Sequence, residues 1–447
     1  MQRREFRCRG LGSAQIDRRA FLNTTVSAGM AGLSLGSLLA QRAHAKNAPF
    51  PADTAVIQVW LGGGPTHFET YDPKPQAPAE YRGPFQPISS CLSGVQLCEL
   101  LPRHTKVLDR AAILRSVDVG SSSHDVGMYI CTTGKPTKHQ PATGSYVAKL
   151  QHGGASQMPG YVHLGFPQTA NLTFADNFKA HYLGSAHDPF YIYDDPASDK
   201  FKVPNLQLAD GVTLERLGDR KALLSRFDQA RRAFSEASAT QSVDHFTRAA
   251  FDIATGSKAR QAFDLGKESS HTRERYGKHR WGQSCLLARR LVEAGVPFVT
   301  VNFDPHSFSF DMHGNVTKGM QSAGPRMDSA IPALIEDLYE RGLDQKVLLL
   351  VWGEFGRTPK INKSGGRDHW GPVMSVLISG GGLKMGQVIG SSTAKGEVPL
   401  ERRLTPYDVL ATMYRHLGID PHHTSFKDLA GRPLALLDQG QVISELI

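Results

Sequence analysis

Cysteine is scarce in this chain: there are five among 447 residues, and no Cys-x-x-Cys pair. That excludes a thiolate-built zinc site or a dithiol redox centre. Cys8 falls in the N-terminal leader discussed below. Cys91 and Cys98 are near enough in sequence to pair after export, whereas Cys131 and Cys285 stand among apolar residues and read as buried thiols. Long apolar runs are missing as well. No stretch reaches the roughly 18 consecutive apolar residues of a membrane-spanning helix, so no stable span is expected. There is no repeat of solenoid length, no low-complexity tract, and no Lys-Ser/Thr after the Gly62-Gly-Gly turn that would make it a P-loop. More than half of the charge excess sits at the start of the chain. The first 45 residues hold seven Lys/Arg against two Asp/Glu, leaving +4 of the formal +9 for the remainder, which is no nucleic-acid footprint.

The most legible feature that is present concerns export. Asp17-Arg-Arg-Ala-Phe-Leu22 reads as a twin-arginine signal, followed by an apolar Gly/Ala/Ser-rich stretch from Thr24 to Ala40 and the small-residue site Ala43-His-Ala45. Residues 1–45 are therefore expected to engage the twin-arginine translocase and then be removed. The mature domain, 46–447, is expected in the periplasm or outside the cell. That route carries folded proteins, often with metals already inserted.

With 40% hydrophobic and 21% charged residues, the remainder suits one large α/β domain or a domain with inserted lobes. Thr54–Leu61, Ala112–Val117, Val296–Val301 and Val347–Trp352 are short apolar runs closed by Gly, Pro or Asn, which read as buried strands of a mainly parallel sheet. Val126–Thr133 and Trp281–Ala294 read as helices, with Ser121 to Ser123 capping the first. The stretch 154–280 is less regular and reads as an inserted lobe. Within it Leu214–Phe263 carries Leu217, Leu223, Leu224 and Phe227 near helical spacing.

Polar residues gather where these strands end, the position in which open α/β sheets place their ligands. After Val347–Trp352 come Glu354, Arg357, Asp368 and His369; after Val296–Val301 come Asp304, His306, Asp311 and His313. Asp311 and His313, two apart in extended chain, would face the same way. Carboxylates with imidazoles suit a divalent cation such as zinc, manganese, magnesium or calcium, while Arg357 suits a phosphate or sulfate oxygen. The plainer reading of Glu354 and Asp368 is salt-bridged support, paired with Arg357 or Arg367. His67, Glu69 and Asp72 follow the first strand. His124 sits behind a Ser-rich turn at a helix start, either free to coordinate or attack, or tied to Asp125 or a neighbouring strand.

These residues fall in an ordered set of motifs: Gly63-Gly-Pro-Thr-His-Phe-Glu-Thr-Tyr-Asp-Pro-Lys-Pro75, His124 before Thr132-Thr-Gly-Lys-Pro136, Asp311-Met-His313-Gly-Asn315, Glu354-Phe-Gly-Arg-Thr-Pro359, Gly366-Arg-Asp-His-Trp370 and Gly380-Gly-Gly-Leu-Lys-Met-Gly386. In this the sequence resembles the DUF1501 family. Members of that family are abundant in Planctomycetes, commonly carry twin-arginine signals, and are placed by fold similarity with alkaline phosphatases and sulfatases. The resemblance implies a three-layer sandwich with one or two metals at the carboxyl strand ends, hydrolysing a phosphate or sulfate ester of a small molecule or polysaccharide. It implies Asp311, His313, Glu354, Asp368 and His369 as metal ligands, with His67, Glu69 or Asp72 replacing a missing first-strand Asp. His124 falls in the nucleophile slot, with Ser123 beside it and Arg357 as anion clamp. No sulfatase Cys-x-Pro-x-Arg is present, so a formylglycine nucleophile is excluded. The alternative is a secreted, non-catalytic binding or scaffolding protein on a degenerate site, for instance for sulfated polysaccharide.

Overall fold

The computed structural model describes residues 53–151, 158–165, 175–203, 256–303 and 309–447. The expected signal segment 1–45, Leu217 to Phe227, Asp304 and His306 lie outside the described residues. Eight strands form the central sheet: β1 (Ala55–Trp60), β2 (Ala111–Val117), β3 (Val162–Leu164), β4 (Phe190–Ile192), β5 (Phe298–Asn302), β6 (Val347–Trp352), β7 (Met374–Gly380) and β8 (Gln387–Ile389). Their spatial order is β8-β2-β7-β6-β1-β5-β3-β4. All pairings are parallel except those of β7, which runs against both β2 and β6.

Both faces of this sheet are covered, which is why its central strands are mainly apolar and do not alternate with exposed polar residues. Every residue of β1 and of β6 is buried. Ile57, Val59, Val299, Val301, Leu349 and Val351 share one apolar cluster with Leu286, Leu287 and Leu291 of helix α3 (Arg280–Glu293) and Ile331, Leu334 and Ile335 of α4 (Val316–Glu340). The alternate residues pack on the opposite face. There Trp60 meets Phe178 and Trp352 edge-on, and Gly144 of α2 (Thr143–Gln151) lies against the rings of Tyr161 and Phe298. Helix α1 (His124–Thr133) and helix α5 (Pro406–His416), which starts with a Thr405/Asp408 capping box, complete the frame around the site.

Two expectations change here. Part of the supposed irregular lobe is sheet: β3 and β4 extend it beyond β5, three residues each and too short to give a periodic signal. Cys91 and Cys98 are not paired; all four described cysteines are free thiols, with Cys98 buried on a small hairpin strand (Gln96–Cys98) and Cys91 exposed beyond it. Among the described residues no helix is long and apolar enough to cross a membrane.

Candidate metal centre

Strands β1, β2, β5 and β6 run the same way, so their carboxyl ends share one rim of the sheet. Beyond that rim stand the turn Gly62–Gly64, the Ser121–Ser123 turn and α1, the Asp311–His313 segment, and Glu354 with Arg357. Two glycines allow the loops to close on each other. Gly63 has φ 103°, and a Cβ on it would lie 2.4 Å from the Asp311 nitrogen. A Cβ on Gly127 would lie 2.5 Å from the Glu354 carbonyl oxygen, so α1 can abut the β6 loop only with glycine there.

Three imidazoles and one carboxylate meet at this rim. Asp311 Oδ1 lies 3.0 Å from His313 Nε2 and 3.1 Å from His369 Nε2, and Asp311 Oδ2 lies 3.5 Å from His124 Nε2. The Nε2 atoms of His313 and His369 are 2.9 Å apart. Each ring has its other nitrogen against an oxygen outside the cluster. His124 Nδ1 is 2.7 Å from Glu354 Oε1, His313 Nδ1 is 2.7 Å from Asp368 Oδ1, and His369 Nδ1 is 3.1 Å from the Ser122 carbonyl. Those oxygens can only accept, so each Nδ1 carries a hydrogen, and each ring turns its Nε2 inwards, where the neutral form offers a lone pair. Outward-donating Nδ1–H groups and inward lone pairs are how proteins orient imidazoles around a metal. His124, Asp311 and His369 bring one ligand atom each within 4.8 Å of one another, and His313 Nε2 stands beside Asp311 and His369; ligand atoms about 2.0–2.1 Å from a tetrahedral ion lie about 3.3 Å apart.

The carboxylates outside the cluster are themselves held. Glu354 is buried and its Oε1 also accepts the Gly63 N–H at 2.8 Å. Asn362 Nδ2 donates to Asp368 Oδ1 at 3.1 Å and to the His313 carbonyl at 2.9 Å. Arg357, buried behind Asp311, donates from Nε to the Gly64 carbonyl at 2.9 Å, from one terminal nitrogen to the Arg367 carbonyl at 3.0 Å, and from the other to the Gly63 carbonyl and to Asp311.

Charge follows from this packing. Burial alone would raise the Asp311 carboxyl, but hydrogen bonds from His124 and Arg357 hold it well below the usual carboxylate range. Burial likewise works against a proton on His124, yet its bonds to Asp311 and Glu354 prevail and push it up to about 9. His369 is moved down, first by burial and then by the charges of His124 and Arg357. One cation at the centre of the cluster is therefore favoured and two are not. A divalent ion, which would displace the proton, meets the same field.

The DUF1501 profile, described as a protein of unknown function, matches residues 53–447. The chain belongs to the DUF1501 family. No curated protein matches it. Among solved structures, DUF1501 residues here overlap the crystal structure of Ps i-CgsB at 9% identity, covering 82% of this chain and 72% of that one with a TM-score of 0.36. They overlap an alkaline phosphatase superfamily protein from Vibrio parahaemolyticus at 12% identity (83% and 69% covered, TM-score 0.33). A third is the phosphonate monoester hydrolase SpPMH from Silicibacter pomeroyi at 10% identity (88% and 76% covered, TM-score 0.36). Overlaps this loose set no correspondence between individual residues.

Within the DUF1501 chain, the residues named from sequence divide into three groups. Asp311, His313, His369 and His124 face one another. Glu354 and Asp368 were expected as ligands or as partners of Arg357 and Arg367; instead each holds a histidine by its Nδ1. Arg357, expected to clamp an anion, is buried and bonded to three carbonyls and Asp311, so its fork is not open to a substrate. Ser123 is the exposed N-cap residue of α1, but its hydroxyl makes no cap hydrogen bond.

His67 and Asp72 are the clearest corrections. His67 is fully buried with Nε2 3.0 Å from the Gly396 carbonyl and its ring on Phe68. Asp72 accepts from Ser392 at 2.6 Å and pairs with Lys74 at 3.0 Å. Both are structural. A second gathering, His139, Asp176 and His181, is more exposed, and its only carboxylate already pairs with Lys179 at 3.0 Å while His181 Nε2 donates to the Asp176 carbonyl at 2.9 Å. It reads as an ion-pair network.

Burial of His67 makes a testable demand on pH. Desolvation lowers its pKa from 6.5 to about 4, so between those values the unfolded chain binds the extra proton and the folded one does not. Stability is then complete above about pH 6.5 and falls as the pH drops through about 4, by roughly 3 kcal/mol from this group. Urea unfolding of His67→Gln should show a shallower loss than the parent over that range. Equal slopes would mean that His67 is not buried neutral.

Proposed function

We propose that His124, His313, His369 and Asp311 hold one divalent ion, and that this DUF1501 protein is a metal-dependent hydrolase of sulfate or phosphate esters, exported folded through the twin-arginine route. One observation carries the reading: three histidines are tied outwards through Nδ1 to oxygen acceptors and aim Nε2 at a single carboxylate. Three imidazole nitrogens with one carboxylate oxygen suit zinc or manganese better than magnesium or calcium, which take all-oxygen shells.

Such an ion, when bound, activates water and polarises the ester oxygen. The chain's own residues supply the rest. Helix α1 starts at His124, and the backbone N–H groups of its first turn face the same rim, where the helix dipole favours an anionic group. The Ser123 hydroxyl, exposed next to His124, is the available oxygen nucleophile; Glu354 fixes the His124 ring, and Arg357 fixes Asp311. A binding-only protein, for instance for sulfated polysaccharide, is favoured by one feature: both nitrogens of His124, in the nucleophile-like position, already face carboxylates.

A panel of aryl sulfate, phosphate monoester, phosphate diester and phosphonate monoester substrates, run with zinc or manganese and again with chelator, separates the two. Chelator-sensitive turnover of any one class supports the hydrolase. Metal binding without turnover across the panel would favour the binding protein.

A further inference from the structure

Gly63 to Pro75 is the longest motif in the sequence, yet neither His67 nor Asp72 reaches the cluster. Glu69, the remaining candidate for the missing first-strand Asp, does not reach it either and does something else. Glu69 and Arg367 are both fully buried and paired through both carboxylate oxygens: Nε donates to Oε2 at 2.9 Å, and a terminal nitrogen donates to Oε1 at 2.7 Å. Thr66 Oγ1 donates to Glu69 Oε2 at 2.5 Å, and the guanidinium plane lies 4.1 Å above the Phe68 ring. The rest of the fork reaches the carbonyls of Thr358, Pro359 and Tyr81.

The backbone of Arg367 lies between the two ligand segments. Its N–H donates to the Met312 carbonyl at 2.9 Å, between Asp311 and His313 in the chain. Its own carbonyl accepts from Arg357, the residue that holds Asp311, at 3.0 Å. The next residues are Asp368, which orients His313, and His369. A shift of the Arg367 backbone would move donors on both sides of the cluster together.

We propose that the Glu69–Arg367 pair is a positioning device for the metal centre, setting the separation of the Asp311–His313 segment from His369, so that the first-strand motif serves the site from behind instead of ligating it. This role rests on the metal reading above. A bidentate guanidinium–carboxylate pair suits it because two parallel hydrogen bonds fix orientation as well as distance.

The test uses Co²⁺ as probe on the full chain, first stripped of metal, with affinity read by chelator competition and geometry by the visible d–d bands. Glu69→Gln should weaken Co²⁺ binding roughly tenfold or more and shift the bands, the usual cost of losing a residue that orients metal ligands. Arg367→Lys, which keeps the charge but not the fork, should do the same to a lesser degree. Tyr276→Phe is the control: it removes a buried bond to Asp337 (2.8 Å) under α4, away from the rim, and should lower the melting temperature while leaving Co²⁺ affinity and bands unchanged. If Glu69→Gln does not fold, Arg367→Lys and Thr66→Val carry the test. Affinity within about twofold of the parent and unshifted bands in every folded variant would overturn the positioning role alone. A parent chain that binds no Co²⁺ would overturn the metal reading and this role with it.

Discussion

Asp311→Ala should remove most of the bound divalent ion and erase the stabilisation that the ion gives. All three imidazole Nε2 atoms face this carboxylate, so no other single side chain touches as much of the cluster. Parent protein should melt higher with zinc or manganese than with chelator, because an ion that binds only the folded state stabilises it by mass action. In Asp311→Ala the two melting temperatures should coincide. The variant also leaves the Arg357 guanidinium buried without its carboxylate, a loss on the order of 2 kcal/mol once the partial exposure of Asp311 is allowed for. Its chelated form should therefore melt several degrees below the chelated parent. His313→Ala, with a half-exposed ring, should abolish the ion-dependent gap without that second drop. Calorimetry on the three proteins, with and without chelator, checks this. An ion-dependent gap that survives in both variants would remove Asp311 and His313 from the ligand set.

His124 and Ser123 are neighbours with different expected roles, and their alanine variants should part company. His124→Ala should lose both metal and whatever ester hydrolysis the protein has, by at least roughly 100-fold, since it removes a ligand of the ion on which that hydrolysis depends. Ser123→Ala should keep the full metal content, as its hydroxyl makes no bond to the cluster, and lose turnover by a comparable factor if that oxygen attacks the ester. Metal content by elemental analysis and rates on the best substrate of the panel decide the matter. Ser123→Ala at parental rate would leave a bound water as the nucleophile. His124→Ala with unchanged metal and rate would make its position at the start of α1 a coincidence of spacing.

Strands were easy to locate from sequence where both faces are buried: β1, β2, β5 and β6 are mainly apolar runs, interrupted only by Gln58, by Arg115 and Ser116, and by Thr300, with polar or glycine ends. The three-residue strands β3 and β4 at one end of the sheet carry no such signal, and α4 was hidden by Pro325 and Pro332 inside a 25-residue helix. The neighbourhood of the site was legible because parallel strands must end on one rim, so residues after β2, β5 and β6 had to gather. Which carboxylates ligate and which orient was not legible. Glu354 and Asp368 look the same in sequence as Asp311; only the direction of each imidazole's Nδ1 tells them apart. Burial hid the rest. Arg357 looks like an anion binder in a Gly-containing loop and Arg367 like a partner for Glu354 or Asp368, and nothing local signals that Arg367 pairs with Glu69, 298 residues away.

The most direct test is the metal content of the full chain, expressed with zinc and manganese supplied and purified without chelator. About one equivalent of zinc or manganese per chain, falling to background in Asp311→Ala and His369→Ala, is the expected result. A correctly folded parent with no bound transition metal, and variants indistinguishable from it, would contradict the account.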